Sequence, residues 1–181
     1  HETAALLPYE ATYKTSTRGL NLTLERRLSI DDNGDCRLTS DGKLLVAGIS
    51  EVSVFTVNGD QVEPKSYIYQ LSGPVNRRRE VHFEKGSDTI RSLYKKKWYD
   101  VPNEPGTLDR MSQQEQLRLT LLNDPTPKED ISVRIADGRK VAFFGRSMHR
   151  ISDVGRRLGA LTVPEDSIVD IEDLLKLPPD Q

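Results

Sequence analysis

Apolar and polar residues alternate with a period of two through most of the N-terminal half of this chain, the pattern of antiparallel strands with one buried face. Tyr9, Ala11 and Tyr13 alternate with Glu10, Thr12 and Lys14, and Leu22, Leu24, Leu28 and Ile30 alternate with Thr23, Glu25, Arg27 and Ser29. The second run ends at Asp31-Asp32-Asn33-Gly34-Asp35, where Asn and Gly tolerate the positive φ of a tight hairpin turn. Asp41-Gly42 and Asn58-Gly59 repeat the signal, so Cys36–Thr39, Leu44–Val57 and Val62–Leu71 are expected as successive strands. Pro64 has no N–H for a ladder, which predicts an edge strand or a bulge there. Further strands are expected at Val75–Phe83, Thr89–Tyr99, Ile131–Ile135 and Arg139–Phe144, the last two joined across Asp137-Gly138.

Two prolines and a glycine in Pro102-Asn103-Glu104-Pro105-Gly106 stop the strand pattern. A helix is predicted over Leu108–Leu122, capped by Thr107 or Asp109, with Met111, Gln114, Leu117 and Leu121 on one face. Asp109 and Arg110 are read as capping and pairing groups, and Gln114 as an amide needing partners. A second, shorter helix is predicted after Pro164, with Ile168, Ile171, Leu174 and Leu175 on a face and Pro178-Pro179 as its stop. The expected fold is mainly all-β: a curved antiparallel sheet forming a barrel or half-barrel, one amphipathic helix packed on or in it, and a short C-terminal helix. One domain over residues 1–181 is expected, with 151–181 as a C-terminal tail of open placement.

With 26 Lys and Arg against 28 Asp and Glu, the chain has no global attraction for nucleic acid or an anionic membrane, so any anion site must come from local clustering. The apolar runs are strand-sized, far short of the roughly 20 residues that cross a bilayer. The single Cys36 excludes an internal disulfide and reads as a small buried hydrophobe. No charged-then-apolar leader precedes Leu6, which suits either a mature exported product or a cytosolic protein.

The clustering is local and basic. If a turn centres on Lys85-Gly86-Ser87, Phe83 faces Ile90, Val81 faces Ser92 and Arg79 faces Tyr94, which brings Arg77-Arg78-Arg79 beside Lys95-Lys96-Lys97. In that register Arg78, Lys95 and Lys97 share a face with His82 and Arg91, while Arg77, Arg79 and Lys96 take the other with Tyr94 and Trp98. Like charges on neighbouring strands repel unless anions or carboxylates intervene. Arg77, Arg79, Tyr94, Lys96 and Trp98 are therefore the candidate ligand-binding set, for a phosphate, a lipid headgroup or an acidic glycan. The competing reading is a solvated strand pair neutralised by Glu80, Glu84 and Asp88.

No GxSxG, HExxH, P-loop or CxxC motif occurs. His1, His82 and His149 are far apart and read as structural. An N-terminal histidine can chelate copper through its amine and ring, so His1 is a remote candidate metal ligand, resembling the histidine brace of lytic polysaccharide monooxygenases by one residue.

Several segments together resemble the bacterial envelope family known as domain of unknown function 3108. They are the opening Leu-Pro-Tyr-Glu-Ala-Thr-Tyr, the Val-Asn-Arg-Arg-Arg-Glu-Val-His-Phe strand, Lys-Lys-Lys-Trp, and Thr107-Leu108-Asp109-Arg110-Met111-Ser112 with Gln114, Leu117 and Arg118. The resemblance runs from Leu7 to about Arg150 and departs after it, where Gly155 to Val163 replaces an expected final strand. It implies an exported, periplasmic protein with a cleaved signal peptide, and carries over no catalytic residue. The expectations are a non-enzymatic binding protein for an envelope lipid, glycan or other anion, without cofactor. The alternative is a structural adaptor for another envelope protein. Nucleic acid is not expected as a partner, and contact with a membrane is peripheral at most.

Overall fold

Eight strands hydrogen-bond in strict chain order, each antiparallel to the next: β1 Tyr9–Thr17, β2 Leu20–Ile30, β3 Cys36–Lys43, β4 Gly48–Asn58, β5 Gln61–Ser72, β6 Arg77–Phe83, β7 Thr89–Tyr94 and β8 Lys97–Pro102. This is a computed structural model, and it describes residues 4–17, 20–43, 46–126 and 131–146. A second sheet joins the short β9, Thr107–Leu108, in parallel to β10, Ile131–Asp137, which pairs antiparallel with β11, Lys140–Arg146. Between β9 and β10 lies the helix α1, Ser112–Asn123. The mainly β class follows from the alternation. Among the described residues no ladder joins β1 to β8, so the eight-stranded sheet is open and not a closed barrel.

The register sets one row of side chains across the whole sheet. Tyr9 pairs with Leu28, Leu28 with Leu38, Leu38 with Ser53, Ser53 with Tyr67, Tyr67 with Val81, Val81 with Ser92, and Ser92 with Tyr99. Direct partners in an antiparallel ladder share a face, so this row and its neighbours two residues away form the apolar side. Leu22, Leu28, Leu38, Phe55, Tyr67, Leu71, Ile90 and Leu119 are almost completely buried there. Cys36 belongs to the same core, and burial, ahead of the nearby carboxylates, pushes its thiol pKa up.

Two members of the row are polar, and each anchors another element. Ser53 donates to both carboxylate oxygens of Asp109, at 3.1 and 3.0 Å. Ser92 donates to the carbonyl oxygen of Gly138 in the β10–β11 turn.

Asp109 also accepts the backbone N–H groups of Met111 and Ser112, and the Ser112 hydroxyl accepts from the Asp109 N–H at 3.0 Å. The exchange is a capping box, which confirms Asp109 as the cap. The Thr107 hydroxyl donates instead to the carbonyl of Glu104. The buried residues of α1 are Ser112, Gln113, Glu115 and Leu119; of the expected face, Met111 just ahead of the helix is buried, while Gln114, Leu117 and Leu121 are half-buried. Polar contacts tie the helix to the sheet: Tyr9 donates to Glu115 at 2.7 Å and Arg26 donates to Gln114, while within the helix Arg118 pairs with the other oxygen of Glu115 at 3.0 Å. The helix docks through hydrogen bonds as much as through apolar area, which is why apolar spacing mislocates its face.

Three boundaries depart from the turn signals. Asp41-Gly42 is not a turn: β3 continues to Lys43, and Gly42 faces Leu24, whose Cδ2 would lie 2.6 Å from a Cβ at that position. Glycine is there for close approach rather than for positive φ. Pro64 marks a bulge, since Val54 pairs with Ser66 while Phe55 pairs with Pro64 and Lys65 is skipped, yet β5 is central and not an edge. The expected strand Thr89–Tyr99 is two strands with a turn at Lys95-Lys96. The helix expected after Pro164, and the residues 151–181, lie outside the described residues.

Burial raises the Asp109 pKa from 3.8 to about 6, outweighing the hydrogen bonds it accepts from Ser112, Ser53 and Met111. A carboxyl that holds its proton more tightly folded than unfolded stabilises the fold fully below its unfolded pKa, and that contribution fades as pH rises through the folded value. Asp109→Asn, which keeps a cap acceptor and cannot ionise, is expected to remove a component of stability that falls between pH 4 and pH 6 in the native chain. Asp109→Ala, which strands Ser53 and two helix N–H groups, is expected to cost about 1–3 kcal/mol. Chemical denaturation of all three proteins across that pH range measures both.

Candidate functional site

The ladder between β6 and β7 runs from Phe83–Ile90 to Glu80–Leu93 and stops. Beyond it β6 continues as Arg79, Arg78 and Arg77, still paired on its other side with Tyr69, Gln70 and Leu71 of β5. On the β7 side the chain turns away at Lys95-Lys96 into β8, which resumes with Tyr94–Lys97 and Leu93–Trp98 pairs. The separation opens a groove of about 690 Å³ whose walls include Arg77, Arg78, Arg79, Tyr94, Lys95 and Lys96. It is larger than two hollows over β2–β4, of about 520 and 460 Å³, where Glu25 and Asp41 face each other across the ladder.

The turn that opens the groove is strained. Lys95 and Lys96 have φ of 48° and 64°, both in the left-handed region, where a side chain crowds the backbone and Asn-Gly is the usual choice. Because neither lysine signals a turn, the sequence reads as one strand across this point. The consequence is that Arg77, Arg78, Arg79, Lys95 and Lys96 surround a single cavity. The carboxylates within reach of these five cations, among the described residues, are Glu80 on Arg78 at 2.9 Å and Asp137 on Arg79 at 3.7 Å. Burial of Glu80 raises its pKa, but hydrogen bonds from Arg78 and His82 outweigh it and the net shift is downward.

The structure confirms the pairing of Phe83 with Ile90 and Val81 with Ser92, and it brings four of the five candidate ligand-binding residues together. Arg79 is held in place: its guanidinium lies 5.7 Å from the Tyr69 ring centroid and 5.4 Å from that of Tyr94. Lys95 Nζ lies 5.4 Å from the Tyr94 centroid, while Arg77 and Lys96 are exposed. Trp98 does not join them. As the cross-strand partner of Leu93 it stands on the opposite face from Tyr94, beside His82 and Arg91. The extra turn at Lys95-Lys96, which a single strand lacks, causes this reversal. His82 accepts or donates a hydrogen bond with Glu80 at 3.0 Å, whereas His1 and His149 lie outside the described residues.

One set of contacts behind the site is invisible to local sequence reading. The β10–β11 turn docks on the apolar side of β7, where Gly138 accepts the Ser92 hydroxyl and sits against the Tyr94 ring, a Cβ there falling 3.3 Å from it. Asp137 in the same turn reaches Arg79. Among the described residues no three His, Cys, Asp or Glu side chains group as a metal site would require. The arrangement defines a cationic, aromatic-walled groove suited to a chain of phosphates.

Residues 128–181 match the family model for the β-CASP domain of ribonuclease J. A ribonuclease J of Mycolicibacterium smegmatis is 43% identical over 51 residues, which is 28% of this chain. The chain spans about 9% of the length of that curated relative. No solved structure matches the chain. These matches overturn the resemblance to the envelope family and everything inferred through it. The periplasmic location, the envelope lipid, glycan or protein partner, the adaptor role, copper binding through His1 and the exclusion of nucleic acid are all corrected, because the similarity found is to an enzyme of RNA. The near-zero net charge averages over the whole chain and does not register that five of its 26 Lys and Arg share one groove.

The strained turn gives a direct check. Lys95→Asn/Lys96→Gly relieves two left-handed residues and is expected to stabilise the fold by about 1–2 kcal/mol, which raises Tm by about 2–8 °C in a domain of this size. A thermal melt measures it.

Proposed function

We propose that this chain belongs to an RNA-processing protein of the ribonuclease J kind and that its open sheet, bent as a half-barrel around α1, holds the RNA backbone in the groove between β6 and the Lys95-Lys96 turn. The observation that carries the reading is a contact: the β10–β11 hairpin, in the segment similar to ribonuclease J, touches two residues that line the cationic groove, with Asp137 reaching Arg79 and Gly138 lying against Tyr94. In this reading Arg77, Arg78, Lys95 and Lys96 meet phosphates, Arg offering forked donors and Lys point charges. Arg79 and Tyr94 shape the wall. Cleavage of the RNA is assigned to parts of the protein other than the described sheet.

Strain supports the assignment. A fold gains nothing from two lysines in left-handed conformations, and such costs collect where function requires a particular side chain. At this turn the residues required are cations.

Fluorescence anisotropy with a labelled oligouridylate of about 16 nucleotides tests the reading. Binding is expected to weaken steeply with salt. Arg77→Ala/Lys96→Ala is expected to reduce the slope of log K against log[salt] by about 1.4, two single-strand phosphate contacts, without changing Tm. Lys95→Asn/Lys96→Gly is expected to bind more weakly although it is more stable. No affinity for RNA at low salt, or a slope unchanged in the double alanine variant, removes the groove as the RNA site.

A further inference from the structure

The side chains of the groove between β6 and the Lys95-Lys96 turn offer charge and little else. The two amide side chains in its lining are already engaged. Gln70 accepts from Arg78 at 3.1 Å and donates to the Leu71 carbonyl at 2.9 Å, and Asn76 Oδ1 accepts the Gly73 N–H at 3.3 Å. The Tyr94 ring is occupied as well, with the Arg79 and Lys95 cations each 5.4 Å from its centroid and Gly138 lying against it. Side chains read a base by hydrogen-bonding its edge or by stacking on its face, and here both kinds of group are turned to the protein itself.

Positive charge, by contrast, is in surplus. Among the described residues Arg78 and Arg79 have carboxylate partners, while Arg77, Lys95 and Lys96 line the groove, are exposed and have none. Unmatched cations on both sides of the split ladder fit an extended polyanion better than one small anion, because a single phosphate satisfies one side and leaves the other uncompensated. We propose that the groove is a site for inorganic polyphosphate, a linear chain of phosphates without base or sugar. The inference goes beyond the RNA reading and does not require it. Polyphosphate supplies the oxygens that these cations bind, and an RNA backbone uses the same site through the same kind of oxygen. The two ligands are accordingly mutually exclusive.

Equilibrium dialysis of the full chain against sodium polyphosphate of about 16 phosphates, without divalent cations and with phosphorus counted on both sides, measures the binding directly. Polyphosphate added to the bound, labelled oligouridylate measures the exclusion. Saturable binding that weakens with salt is expected, and orthophosphate at equal total phosphate and ionic strength is expected to give none. Arg77→Ala/Lys96→Ala is expected to weaken polyphosphate binding by about tenfold with Tm unchanged, and polyphosphate is expected to displace oligouridylate from the native chain. Oligouridylate binding without polyphosphate binding overturns the proposal and leaves the RNA reading standing. Polyphosphate binding that is equally strong in the double variant, or that coexists with bound oligouridylate, overturns it as well. Polyphosphate binding without oligouridylate binding supports the proposal and removes the RNA reading.

Discussion

The ladder between β6 and β7 ends at Glu80–Leu93, and most of what distinguishes this molecule follows from that early stop. Had β7 continued as a straight strand, Lys95, Lys96 and Lys97 would lie directly against Arg78, Arg77 and the residues before them, and repulsion would have to be met inside a paired ladder. Instead the chain reverses at Lys95-Lys96 and accepts two residues at positive φ. The reversal opens the groove, adds β8 to the sheet, and moves Trp98 to the face away from Tyr94. One local strain thus puts Tyr94, in the cationic groove, and Trp98 on opposite faces.

The row of partners from Tyr9 to Tyr99 explains how the remaining elements attach. Ser53 and Ser92 are the polar members of that row, and each meets a specific acceptor: the Asp109 carboxylate and the Gly138 carbonyl. The helix is held less by an apolar stripe than by buried polar pairs, Asp109 with Ser53 and Glu115 with Tyr9 and Arg118. Burial and the charge of Glu115 push the Tyr9 pKa upward, so its hydroxyl stays a donor to that carboxylate across the physiological range. Such pairs contribute little net stability compared with apolar packing, but each costs several times more to leave half-made, which fixes where the helix lies.

The strands were legible because alternation is a direct image of a half-buried sheet, and the hairpins at Asn33-Gly34, Asn58-Gly59 and Asp137-Gly138 were legible because their residues tolerate positive φ. The turn at Lys95-Lys96 was not, since its residues carry no such preference and tertiary context imposes the conformation. Gly42 misled in the other direction, being small for Leu24 rather than flexible for a turn. Four of the five candidate residues, Arg77, Arg79, Tyr94 and Lys96, line one cavity, a grouping the hairpin register implied. Trp98 was misplaced by the unseen turn, and Asp137 and Gly138 were missed because contacts across more than forty residues leave no local pattern. The family resemblance drawn from the strands and helix start was overturned by a match at the C-terminal end, beyond most of the residues that carried it.

Ultraviolet crosslinking of the full chain to single-stranded RNA, followed by mass spectrometry of the nucleotide-bearing peptides, tests the central claim most directly. The account predicts adducts concentrated in the peptides containing Arg77–Arg79 and Tyr94–Trp98, the two sides of the split ladder. Adducts confined to other strands, or none at all under conditions where a known RNA-binding protein crosslinks, would contradict it.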